Sequence, residues 1–241
     1  MSIKESSMAQ SRAEFLSVPR ARERNILRNV YLWMTGGLAL TGVIAVGVAG
    51  NETMVRALAG NPILFFGLIL GELGLVFYLS ARIMKMSAST ATLSFTAYSV
   101  LNGITLSVIF LAYTGAEISL AFFTAAGTFA AMSLYAMTTK RDLSGFGHYL
   151  IMGLFGIIIA SVINIFLQSS GLYYLISYLG VFIFLGLTAY DTQMIKQWNQ
   201  QFGSSVSEEQ YVKLSIMGAL KLYLDFINIF LFLLRIFGSR N

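Results

Sequence analysis

At 241 residues the chain is 56% hydrophobic and only 11% charged, with a formal net charge of +5 and a mean hydropathy of +0.72. Water-soluble domains carry about 25% charged residues, so a soluble enzyme is excluded, and 19 Phe and 12 Tyr exclude a disordered chain. The absence of cysteine removes disulfides, thiolate zinc sites and cysteine nucleophiles, and a single histidine, His148, removes most catalytic triads and histidine-rich metal sites. Function is left to carboxylates, basic side chains and packing.

The first stretch, Met1 to Arg28, is polar and carries Lys4, Arg12, Arg20, Arg22, Arg24 and Arg28 against Glu5, Glu14 and Glu23. It lacks the short apolar core of a secretory signal and is too acidic for a transit peptide. It reads as a basic cytoplasmic tail (residues 1–28) ahead of one membrane domain (residues 29–241). A nucleic-acid-binding arm is the sharper alternative, and membrane-surface anchoring is the plainer one.

A spanning helix needs roughly 20 mostly apolar residues. Seven stretches qualify: Val30 to Ala49, Pro62 to Ala81, Ala91 to Tyr113, Ile118 to Thr139, Tyr149 to Gln168, Leu172 to Tyr190, and Val212 to Ile236. The predicted fold is therefore an all-α membrane protein with seven transmembrane helices. With the N-terminus inside, twelve Lys and Arg residues fall on the inner side: the six of the tail plus Arg82, Lys85, Lys140, Arg141, Lys196 and Lys213. Only Arg56, Arg235 and Arg240 fall outside, and Lys221 lies within a span. The positive-inside rule then places the N-terminus in the cytoplasm and the C-terminus outside. Small residues recur at Gly67, Gly71 and Gly74, at Ala126, Gly127 and Ala131, and at Gly153 and Gly156, where they are expected to let helices approach closely.

Ionisable side chains inside spans are costly and mark pathways or switches. The sequence offers Glu72 in the second span, Asp191 at the inner end of the sixth, and Lys221 and Asp225 in the seventh, with Arg82 near the end of the second. Asp225 stands in an otherwise apolar run broken only by Asn228; its plain reading is an ion pair with Lys221 one turn away. Asp191 reads equally as an interfacial carboxylate. Two carboxylates brought together in a membrane interior do not ionise independently, so such a pair can switch with pH. When ionised it can attract calcium, which takes carboxylate and carbonyl oxygens, and a nearby arginine would compete for the same oxygens as a latch. Helix rise alone leaves Asp191 and Asp225 roughly 10 Å apart in depth.

The words around the two aspartates are Ala189-Tyr190-Asp191-Thr192-Gln193 and Leu222-Tyr223-Leu224-Asp225-Phe226-Ile227-Asn228, the latter continuing to Arg235-Ile236-Phe237-Gly238. With Gly71-Glu72, Asn102-Gly103-Ile104-Thr105, Lys140-Arg141-Asp142-Leu143-Ser144 and Asn164-Ile165-Phe166, the chain resembles a bacterial member of the Bax inhibitor family, the transmembrane Bax-inhibitor-motif proteins. The resemblance covers everything after the tail. It implies a seven-helix bundle whose C-terminal helix is central and wrapped by the other six. It further implies a pH-sensitive calcium leak of the inner membrane in which Asp191 and Asp225 form the proton- and calcium-responsive pair. Arg82 would be the latch, with Lys85 the fallback, Glu72 would lie along the ion route, and Lys221 would modulate the pair. No tightly bound cofactor and no nucleic acid is implied; calcium enters as a permeating or weakly held ion.

The competing reading is an interaction protein that restrains a membrane-anchored quality-control protease, read through the tail. A retinal protein is prompted by seven spans and Lys221, but no carboxylate on the third span offers a counter-ion. Asn102, Thr105, Ser107, Ser161, Asn164 and Asn228 are the polar groups that could line a pore; each is more often a bond between helices.

Overall fold

The computed structural model describes residues 3–202 and 206–238, with side chains from residue 26 onward. The tail arginines up to Arg24, together with Lys4 and Arg240, lie outside the described side chains, so the expected tail boundary at residue 28 is not tested there. Among the described residues every regular element is helical: α1 (Ile3–Ala49), α2 (Glu52–Gly60), α3 (Pro62–Arg82), α4 (Ala88–Leu106), α5 (Ile109–Ala112), α6 (Gly115–Thr138), α7 (Phe146–Leu167), α8 (Ser170–Phe202) and α9 (Glu208–Phe237).

Seven spans are long and apolar enough to cross a membrane, α4 and α5 together making the third. Their ends follow local chemistry. Asn61 caps α3 by accepting from the Leu64 amide, with Pro62 in the first turn where its missing N–H costs nothing. Thr114 with Glu117 and Ser207 with Gln210 form reciprocal capping boxes at the starts of α6 and α9. Gln168 turns α7 into α8 with φ 50°, a left-handed position. The short α2 between the first two spans is an addition to the expected scheme, capped by Asn51 and carrying an exposed Glu52–Arg56 pair at 2.6 Å.

The basic residues segregate to one end of the bundle. Lys196 Nζ donates to the Met137 carbonyl at 2.7 Å, Gln193 holds the Arg141 carbonyl and the Leu143 amide at 2.8 and 2.6 Å, and Lys213 Nζ donates to the Met84 and Met86 carbonyls at 3.3 and 3.1 Å. These bonds put Arg82, Lys85, Lys140, Arg141, Lys196 and Lys213 on one face, called the basic face below. Arg56 and Arg235 lie toward the other.

α9 is the most buried span, and Leu222, Tyr223 and Ile229 are wholly enclosed. It packs against α1, α4, α6 and α8. α3 packs on α4, and α7 packs on α8; these two share no extensive packed interface with each other and face α9 across a cavity. α9 is thus packed closely by four of the other spans, α1, α4, α6 and α8. Large apolar side chains such as Ile63, Phe66, Phe155 and Phe166 point outward, as lipid requires.

The glycines divide in a way spacing does not reveal. A Cβ at Gly67, Gly71 or Gly74 meets nothing within 4 Å, and the same holds at Gly127 and Gly156, so the expectation of close packing at these positions is corrected. α3 has only α4 and α2 as packed neighbours, which leaves its glycine positions open. Close approach occurs at Gly153 against Ile183, and above all at Gly103, where a Cβ would stand 2.7 Å from the Thr41 carbonyl oxygen and 2.8 Å from Ile44 Cβ. That contact sets the α1–α4 crossing.

In the loop between α6 and α7, the Asp142 carboxylate accepts from the Ser144 amide at 2.9 Å, which holds its pKa below the ordinary carboxylate value of about 3.9. The bond favours the charged form, so whatever order it gives the loop is present above pH 4 and is lost as pH falls through the lowered value. Ser144 amide exchange, followed by NMR or mass spectrometry, is expected to be flat from pH 7 to 5 after correction for intrinsic rates and to rise in Asp142→Asn at every pH.

Candidate functional site

The spans carry their ionisable groups into a cavity of about 860 Å³ bounded by α3, α4, α7, α8 and α9. Glu72, Asp191, Lys221, Asp225 and Arg235 all line it, so three helices, α3, α8 and α9, deliver side chains that lipid would not tolerate to one protected space.

Asp191 lines the site from α8, which does not stop at Tyr190. The helix continues to Phe202, and Asp191, Thr192, Gln193, Ile195 and Asn199 are all buried. At 1.5 Å per residue the eleven positions beyond Asp191 place it roughly 16 Å from the helix end. Asp191 is buried against protein and meets α9 one turn before Asp225, so its surroundings are those of a packed interface between helices. Lys221 Nζ lies 3.3 Å from Asp191 Oδ1, an ion pair between α9 and α8. The plain expectation that Lys221 pairs with Asp225 along its own helix is thereby corrected.

Asp225 is 4% exposed, and its Oδ2 has no hydrogen-bond partner. It stands within electrostatic reach of both Asp191 and Lys221. Two buried carboxylates therefore share a single ammonium. A lone buried carboxylate oxygen is costly in any medium of low polarity, which makes Asp225 the group at this site that lacks a partner.

Glu72 belongs to a different set of bonds. Thr105 donates its hydroxyl to Oε1, and Asn102 Nδ2 donates to Oε2 at 3.3 Å. Asn102 Oδ1 lies 3.1 Å from the Tyr223 hydroxyl, which lies 2.6 Å from that of Thr41, itself 2.8 Å from the Ser99 carbonyl; with one proton on each hydroxyl, two of these three bonds form at a time. The chain ties α3, α4, α9 and α1 together. Asn102 and Thr105, read from sequence as pore-lining or helix-bridging residues, hold Glu72, and Gly103 between them admits α1.

Arg82 is exposed in the last turn of α3, and Lys85 is exposed beyond it; neither lines the cavity, and among the described residues neither forms an ion pair. The cation that meets the carboxylates is Lys221. Lys213, buried at the start of α9 and bonded to the α3–α4 turn, is a residue that sequence reading counted only as an inner-side charge. Its signal was its position one turn after Glu209, with which it pairs at 3.4 Å. Among the described residues no three acidic or histidine side chains converge as a metal site, whereas a resident calcium takes six to eight oxygens.

This is a polytopic helical membrane protein whose few intramembrane charges face an internal cavity. The family model described as Inhibitor of apoptosis-promoting Bax1 matches residues 23–241, and the chain belongs to that family, the Bax inhibitor family. It is 48% identical over 230 residues to the inner membrane protein YbhL of Escherichia coli K12, covering 95% of this chain and 98% of that one. A Borreliella burgdorferi protein is 45% identical over 219 residues (91% and 94% covered), and a Rickettsia prowazekii protein is 41% identical over 220 residues (90% and 91% covered).

Proposed function

We propose that the protein is a pH-responsive cation leak of the inner membrane, with calcium as the expected ion and the Asp191, Lys221 and Asp225 cluster as its gate. The observation that carries this reading is the buried Asp225 oxygen without a partner, lining a cavity beside an ion pair that ties α8 to α9. Protonating Asp191 removes the charge that holds Lys221, and protonating Asp225 removes the charge that would draw a cation inward. Local electrostatics of this kind bias a two-state element. Arg82 remains the latch candidate by family resemblance, acting only if α3 moves; Lys221 is the cation already in contact. The similarity to YbhL supports the inner membrane, and the segregated basic face supports a cytoplasmic N-terminus with the C-terminus outside.

Calcium entry into proteoliposomes, measured with a trapped indicator from about pH 5 to 8, tests the reading. The wild type is expected to show a pH-dependent leak, and Asp191→Asn and Asp225→Asn each to remove that dependence. Flux that is absent, or indifferent to both substitutions, overturns the gate and favours the interaction-protein reading, in which the aspartates only hold helices together.

A further inference from the structure

At the far end of the cavity from the aspartates stands Arg235, in the last turn of α9. Its guanidinium lies 5.8 Å from the centre of the Tyr173 ring and 5.4 Å from that of Phe232. Among the described residues no carboxylate pairs with it. Stacked rings fix the position of an arginine without using its five N–H donors, and those donors are matched in geometry to a phosphate.

Arg235 lines two chambers. One is the cavity already described, predominantly apolar toward this end, with Val162, Ile165, Phe184 and Phe232. The other, of about 850 Å³, is polar and contains Asn164, Gln168 and Ser169 but no acidic side chain. Ser161, Ile165 and Arg235 belong to both, so the chambers adjoin. On α9 the first cavity runs from Met217 to Arg235, roughly 27 Å along the helix, close to the thickness of the hydrocarbon core, about 30 Å. It lies between α3 and α7, which have no extensive packed interface with each other.

We propose that these joined chambers bind an anionic phospholipid, its phosphate on Arg235 among the amides and hydroxyls of the polar chamber and an acyl chain in the apolar one, admitted between α3 and α7. Among the described residues, a cation without a counter-charge, a polar chamber without an acid and an adjoining cavity whose near end is apolar are together complementary to one molecule with a phosphate and a long chain. A soluble phosphate would leave the apolar slot unused, and a neutral lipid would leave the guanidinium unpaired. The assignment does not depend on ion flux.

Native mass spectrometry of the delipidated full-length protein, titrated with phosphatidylglycerol, phosphatidylcholine of the same chains, or glycerol 3-phosphate, tests it. One phosphatidylglycerol is expected to bind about tenfold more tightly than phosphatidylcholine, the size of one charge-assisted contact. Arg235→Gln should erase that preference, Arg235→Lys should keep part of it, and Ser161→Trp, placed at the junction, should weaken both lipids without lowering the melting temperature. A preference unchanged in Arg235→Gln, or lipid binding untouched by Ser161→Trp, overturns the proposal. Displacement of the lipid by equal glycerol 3-phosphate also overturns it, because the site would then serve a soluble anion. Should either variant fail to fold, the Arg235→Lys arm and the competition decide.

Discussion

Lys221→Met is expected to raise calcium flux into proteoliposomes roughly tenfold at neutral pH, because a unit charge a few Å from the carboxylates is worth a few kcal/mol at an effective dielectric of about 20. In the native protein one ammonium serves Asp191 directly and Asp225 through space. Its loss leaves two carboxylates facing the cavity with nothing to compete against an entering cation. It also leaves Asp191 buried without its pair, a change that typically costs about 3–5 kcal/mol when the pair is deeply enclosed. Lys221 is about one-third exposed (34%), so the loss here falls below that range.

The two effects separate by companion variants. Lys221→Arg restores the charge and should return flux to the native level. Lys221→Met with Asp191→Asn should regain stability while losing the gain in flux. If Lys221→Met leaves flux unchanged, the ammonium is a packing partner of Asp191 alone and the gate must be sought at Arg82.

Gly103→Val is expected to be the most destabilising single change among the glycines. A branched side chain cannot coexist with the Thr41 carbonyl and Ile44 at the native α1–α4 spacing. Neither neighbour is the tip of a flexible chain, so relief requires the helices to separate, at about 3 kcal/mol or more, the upper range for overpacking. Separation also strains the bonds from Asn102 and Thr105 to Glu72 and from Thr41 to Ser99. Thermal unfolding in detergent reads as a rate, so the half-life at fixed temperature is the appropriate measure. It should shorten at least tenfold, while Gly67→Val, with open space around it, should match the wild type. Equal half-lives would mean that α1 is held on α4 by other contacts.

The membrane class, the seven spans and the identity of the few intramembrane charges were legible in the sequence, because hydropathy over roughly 20 residues is a local property and lipid penalises charge wherever it falls. The motifs also identified the family, whose model matches residues 23–241. Local signals could not say which way a polar run faces: Asp191 to Asn199 looks like an exit into water and is instead buried against neighbouring helices. Nor could spacing decide partners. An i, i+4 relation made Asp225 the natural mate of Lys221, yet the ammonium goes to Asp191 on another helix, since side-chain reach across a packed interface depends on crossing geometry. Likewise the glycines of α3 and of α4 look alike in sequence, and only the fold shows that Gly103 meets backbone while Gly67, Gly71 and Gly74 meet open space. Composition and hydropathy alone say which groups are present and that they must avoid lipid; which of them share a cavity depends on contacts between residues far apart along the chain, and only the packed helices reveal it.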